Sequence, residues 1–356
     1  LSAYKSGQAA ALETGDIEHG YRCWGCSLMY GLVSGLPLSR LHKDGRQYSD
    51  QCWHYNLIGI AETYYPIEDV FEYLMGIPKT SKHWNEVYDV PHHRKMEHDE
   101  HTRWAIYYWS RVQLATYFGE LEIGEQCIQP YYYVTSLDNS FTNESMKVFH
   151  IGLIMSRLAR RKKNRRSYYK RRSKKYLKDM HNLVEAKGGN NLHRYLLMKA
   201  DSMSVSAKGS MENIKAAYDK AIAYSARSGH IHDTALANEL AAEYFLSFGQ
   251  DERNGFDKRK SSLTMSRFEN ESSIAVDEES ADSWVRHYLS NALSLYSEWG
   301  ARGKVDQMFQ IYPRHLNQSM LNTNDRSTRR SQHSAATRMC VSTAHRIVHE
   351  IDLHAL

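Results

Sequence analysis

Residues 235–248 read ALANELAAEYFLSF and stop at Gly249, and residues 284–299 read WVRHYLSNALSLYSEW and stop at Gly300. In both, small residues (Ala237, Ala241, Ala292) alternate with large ones (Leu240, Tyr244, Phe245, Leu289, Leu293, Tyr296) at helical spacing. That pattern lets two antiparallel helices approach closely. A chain assembled from such pairs is an all-α, TPR-like α-solenoid, a fold that offers binding surface rather than a reactive centre.

Working outward, the same reading applies to most of the chain. Tyr4–Glu13 and Ile17–Val33 form a first pair, with Asp16 as the N-cap of the second helix and a stop near Gly35. A helix is expected from about Leu41 to Thr63, closed by Tyr65-Pro66, and Gly76-Ile77-Pro78 breaks the chain again. Further helices are expected over Trp104–Phe118, Glu120–Gln129, Phe141–Arg160, Tyr168–Ala186, Leu192–Met203 and Asn213–Ala226. Ala221-Ile222 recurs as Ala292-Leu293, and the units are spaced about 35–40 residues apart, the size of TPR-like helix pairs. The array spans 1–312. Within it the polar stretch 250–282 reads as a disordered insertion, 313–332 as a polar linker, and 333–356 as an amphipathic helix.

Composition supports the helical reading. Hydrophobic residues make up 42% of the 356, Tyr (25) outnumbers Phe (9), and there are only 6 Pro. Tyrosine suits a thin core because it buries a ring and keeps a polar tip near water. No period-two run of Val, Ile and Thr suggests a large sheet. The longest apolar run, Ile151–Met155, is far short of a membrane span. The opening Leu1 and the lack of a charged-then-apolar leader suggest an internal segment without a secretion signal. Five cysteines, an odd number, suggest a reducing, cytoplasmic setting.

The net charge of +5 is unevenly spread. Thirteen Lys and Arg lie between Arg157 and Lys178 with no acidic residue among them, so the remainder is mildly acidic. Arg160, Arg161, Lys162, Lys163, Arg165, Arg166, Arg171 and Arg172 are the candidate contacts to a polyanion, either RNA or acidic lipid. Tyr169, Tyr176, Met180 and Val184 mark a buried stripe on the same segment, the pattern of an ordinary solvated helix.

Other motifs carry less. Cys23-Trp24-Gly25-Cys26 has redox spacing, but both cysteines fall inside a helix, where small residues serve packing. His93, Glu97 and His101 would share a helix face, yet their order is not His-Glu-x-x-His, and no metal site is assigned. His230-Ile231-His232-Asp233 reads as the cap of a helix beginning near Thr234. Phosphate-loop, nucleophile-elbow and kinase motifs are absent from the sequence, and no carboxylate pair specifies acid–base work. No catalytic residue and no cofactor are expected.

Several segments resemble the helical-repeat region of large multidomain signalling ATPases. They include Ala3-Tyr4-Lys5-Ser6-Gly7, Gly15-Asp16-Ile17-Glu18-His19, Leu36-Pro37-Leu38, Ala217-Tyr218-Asp219-Lys220-Ala221-Ile222 and Gly229-His230-Ile231-His232-Asp233. Ala235-Leu236-Ala237-Asn238-Glu239-Leu240-Ala241 and Tyr296-Ser297-Glu298-Trp299-Gly300-Ala301, with Lys304-Val305, continue the likeness. That family places a kinase-like domain and an AAA/STAND ATPase before the repeats, and a GAF sensor and histidine kinase after them. The stretch Ala336–Ser342 with His349-Glu350-Ile351 is similar to the linker feeding the sensor. The resemblance implies a non-catalytic scaffold whose partner is another protein or the parent's own ATPase and kinase domains.

Overall fold

The computed structural model describes residues 2–77, 98–137, 144–187, 189–206, 210–260 and 268–316. Among these the chain is all-α, with thirteen α-helices, two short 3-10 turns and no strand. In order they are α1 (Ser2–Glu13), α2 (Ile17–Val33), α3 (Leu38–His54), α4 (Ile58–Met75), α5 (His98–Phe118), α6 (Leu121–Leu137) and α7 (Glu144–Arg161). After a 3-10 turn at Lys163–Arg165 come α8 (Arg166–Lys187), α9 (Leu192–Ser206), α10 (Met211–Arg227), α11 (Ile231–Lys260), α12 (Phe268–Trp299) and α13 (Arg302–Ile311). No helix of the described residues is long and apolar enough to cross a membrane.

The chain divides into two compact units. The first is Leu1–Lys208 with Tyr296–Asp306, the second Gly209–Leu295 with Gln307–Leu356. In the first unit each helix from α1 to α9 packs on the next, and α2 also meets α4, α5 meets α7, and α7 meets α9. The segment 296–306 returns to this unit. Trp299 Nε1 donates to the Leu36 carbonyl at 3.0 Å. A Cβ on Gly303 would sit 2.5 Å from the Tyr73 carbonyl oxygen and 2.8 Å from the Gly76 nitrogen, so two backbones touch there. Gly76 itself closes α4 with φ +71, a left-handed position that favours glycine.

Several helix boundaries follow the sequence. Asp16 caps α2, accepting from the His19 backbone N–H, and Ser210 caps α10, accepting from that of Asn213. Two prolines overturn expectations. The helix expected over Leu41–Thr63 is in fact two, separated at Tyr55-Asn56-Leu57. There Asn56 has φ +57 and the Leu57 N–H reaches back to the Cys52 carbonyl at 2.8 Å. Pro66 then lies inside α4, and Pro130 inside α6. An interior proline costs about 3 kcal/mol. Past Pro66, however, α4 buries Ile67, Val70, Phe71 and Leu74, each worth about 1.5–3 kcal/mol. Burial outweighs the lost hydrogen bond. Ile128, Tyr131 and Val134 do the same around Pro130.

In α5 every residue from Ala105 to Phe118 is buried. This helix is enclosed on all sides rather than amphipathic. In the second unit, Phe245 of α11 stacks on Tyr288 of α12 at 5.9 Å and meets Trp284 edge-on at 5.2 Å. Tyr288 Oη donates to Asp219 of α10 at 2.6 Å, tying the three helices together.

Helical backbone extends into the stretch expected as a disordered insertion: α11 runs past Gly249 to Lys260 and α12 begins at Phe268, while 261–267 lie outside the described residues. Helix α11 starts at Ile231 rather than near Thr234. His232 and Asp233 are therefore buried within its first turn. Of the expected linker and last helix, only 313–316 fall among the described residues.

Candidate polyanion-binding surface

The basic segment spans the end of α7, the 3-10 turn and the first half of α8, all within the first unit. Its first part is turned inward. Arg157, 2% exposed, donates to the Thr116 carbonyl at 2.6 Å, and Arg161 donates to the Gly119 carbonyl at 3.0 Å. These are carbonyls at the C-terminus of α5, where cations are favoured by the helix dipole. Gly119 has φ +72, and a Cβ there would sit 3.1 Å from the Arg157 guanidinium.

A second helix end is held in the same way. Arg160 pairs with the buried Asp201 of α9 and donates to Ser204 Oγ at 2.7 Å, while Arg166 donates to the Val205 carbonyl at 2.9 Å. Toward α6, Lys162 lies 3.4 Å from Glu122 and 3.7 Å from Glu125, and Arg165 lies 3.7 Å from Glu125. Burial raises the Glu122 carboxyl, but its own backbone N–H and Lys162 outweigh that and hold it below the usual range. Tyr169 also donates to Glu125 at 2.8 Å; burial, then this bond, raises its phenol.

The second part faces solvent. Arg171, Lys174, Lys175 and Lys178 are exposed and Lys170 is half-buried. At 100° per residue these five fall within roughly 140° of the α8 circumference, over an axial length of about 12 Å. The buried Tyr169, Ser173, Tyr176 and Met180 occupy the opposite side. Each of Lys170, Lys174 and Lys178 is four residues from the next, as are Arg171 and Lys175, so like charges stack in rows. Asp179 is the acidic residue at the margin. Exposed Tyr168 stands one turn before Arg171 and Arg172, with the Arg165 and Arg172 guanidinium carbons 4.9 and 5.7 Å from its ring centre.

Of the eight residues singled out in the sequence, Arg160, Arg161, Lys162, Arg165, Arg166 and Arg172 thus make intramolecular contacts, Arg172 through Tyr176 Oη at 3.3 Å. Lys163 and Arg171 are exposed. Lys170, Lys174, Lys175 and Lys178 belong to the outward face although the sequence reading did not select them. Their four-residue spacing opposite the Tyr169–Tyr176–Met180 stripe was the available signal.

Cys23 and Cys26 are unpaired thiols on α2, and Cys23 Sγ lies 3.3 Å from where a Gly7 Cβ would sit. Burial, then Cys23, raises the Cys26 thiol, opposite to the depression a redox pair requires. His93 and Glu97 lie outside the described residues. Among the described residues, the ligand-type side chains that converge are instead His42 of α3 with Glu68 and Glu72 of α4. No protein-family model, curated protein or solved structure matches this chain.

Proposed function

We propose that the chain is a non-catalytic helical scaffold, a stack of antiparallel helix pairs of the α-solenoid kind, that binds single-stranded nucleic acid through the outer face of α8. The observation that carries this reading is the row of five outward cations opposite a buried stripe. Five charges over about 12 Å, one per roughly 3 Å, match the density of a nucleic-acid strand, one phosphate per roughly 3.4 Å. Like charges at four-residue spacing destabilise a helix by about 0.2–0.5 kcal/mol a pair, so a polyanion that neutralises them is favoured. Tyr168, exposed beside two guanidinium groups, supplies a ring on which a base can stack.

Consecutive packing of α1 to α9, with contacts to the next-but-one helix, supports the stacked-pair reading. An acidic membrane is the weaker ligand. The apolar side of α8 is buried in the protein and has no means of entering the acyl boundary as an interfacial helix does. A second reading, the repeat region of a signalling ATPase acting on the parent's own domains, rests on the resembling segments alone.

The test is fluorescence anisotropy with a labelled uridine oligonucleotide, alongside co-sedimentation with phosphatidylserine vesicles. Tyr168→Ala should weaken oligonucleotide binding by about 1–3 kcal/mol, the usual worth of a stacked base, and leave vesicle binding unchanged. Vesicle binding without oligonucleotide binding would reject the nucleic-acid reading. Binding of neither would reject the polyanion function altogether.

A further inference from the structure

Helices α3 and α4 bring three ligand-type side chains to one place. A nitrogen of His42 and a carboxylate oxygen from each of Glu68 and Glu72 lie within 4.8 Å of one another. His42 Nε2 is 3.6 Å from Glu72 Oε1, beyond hydrogen-bond length, and is buried without a hydrogen-bond partner. Glu68 is 7% exposed, and Arg46, itself largely solvent-facing, approaches it at 3.4 Å. Burial pushes the Glu68 carboxyl up, Arg46 opposes that, and Glu72 adds to it. Two carboxylates held together beside a buried imidazole nitrogen form a converging set of metal-type donors.

We propose that His42, Glu68 and Glu72 bind a divalent transition-metal cation of the Zn2+ class, cross-linking α3 to α4. Two ligands, each about 2.0–2.1 Å from a tetrahedral ion, lie roughly 3.4 Å apart, close to the His42–Glu72 separation. The remaining donors, within 4.8 Å of one another, need to close by at most about 1.4 Å, a change their rotamers supply. Glu68 and Glu72 are one turn apart on the same side of α4, and the imidazole selects a borderline metal over Mg2+ or Ca2+. Three protein ligands leave a fourth position for water. Arg46, one turn from His42 on α3, is the competitor: its guanidinium partly neutralises Glu68 and withdraws into solvent when the ion enters.

A network of ion pairs alone would bind no metal, and isothermal titration of the full chain with ZnCl2 separates the two. One saturable site is expected, weakened at least tenfold by His42→Ala and by Glu72→Gln. Arg46→Gln, which removes the competing charge, should tighten it several-fold. The double variant His93→Ala/His101→Ala, in the histidine-rich stretch, should keep the site. Thermal unfolding without metal confirms that each variant folds, and Glu72→Gln serves if His42→Ala does not. Absence of saturable Zn2+ binding, its survival in both ligand variants, its loss in the histidine-stretch variant, or weaker binding in Arg46→Gln would each overturn the assignment.

Discussion

Replacing Lys174 and Lys175 by Gln should move affinity and stability in opposite directions. The substitutions take Lys170–Lys174, Lys174–Lys178 and Arg171–Lys175 from like-charged to neutral contacts. Each such pair costs about 0.2–0.5 kcal/mol at low salt, so the folded state should gain roughly 0.5–1 kcal/mol after partial screening. Binding should weaken. For a single strand the logarithm of affinity falls with the logarithm of salt at about −0.7 per phosphate neutralised. With five phosphates engaged the slope is about −3.5, so affinity falls about 100-fold between 50 and 200 mM salt; with three it is about −2.1, and the fall is about 20-fold. Oligonucleotide titrations at four salt concentrations give the slope, and urea unfolding of the same samples gives stability. An unchanged slope would place the contact elsewhere on the molecule. Stability lost in parallel with affinity would show that the lysines hold the fold rather than a ligand.

Asp201→Asn should cost about 3 kcal/mol in urea unfolding, because it leaves the Arg160 guanidinium without its buried counter-charge beside α9. Gly303→Ala should cost about 1–3 kcal/mol, since the new methyl group meets the Tyr73 carbonyl and the Gly76 backbone rather than a yielding side chain. Burial pushes the Cys52 and Cys127 thiols up to about 11. At pH 8 their thiolate fraction is about 0.1%, against roughly a quarter for a free thiol. Mass spectrometry after iodoacetamide treatment should show these two labelled some hundred-fold more slowly in the native protein than in urea. Because both folded values exceed the unfolded one, their contribution to stability is present below about pH 8.5 and is lost as pH rises toward 11; equal labelling in the two states would refute the burial argument.

Local signals in the chain read correctly where the deciding interaction is itself local. Asp16 and its contact with the His19 N–H lie within one turn, and the left-handed glycines at the ends of α4, α5 and α12 need no distant partner. Pro66 and Pro130 misled because what overrides them is burial against other helices, which a window of sequence does not contain. Helix α5 hid its enclosure for the same reason: Ser110, Arg111, Gln113 and Thr116 look solvent-facing, yet all are buried. The basic segment was visible as charge, but its division into helix-end clamps and an outward row depends on Thr116, Gly119, Asp201 and Val205, each some forty residues away. The His42–Glu68–Glu72 group spans two helices and carries no motif.

The backbone contact of Gly303 with Tyr73 and Gly76 gives the first unit a seam joining an early part of the chain to one made much later. During synthesis α1 to α9 emerge well before their closing partner, and the whole of 209–295 must follow before Trp299 can reach Leu36. Such long-range closure slows folding and prolongs the exposure of apolar surface. A ribosome stalled before residue 296 would therefore hold an unsealed bundle, the form a chaperone would meet.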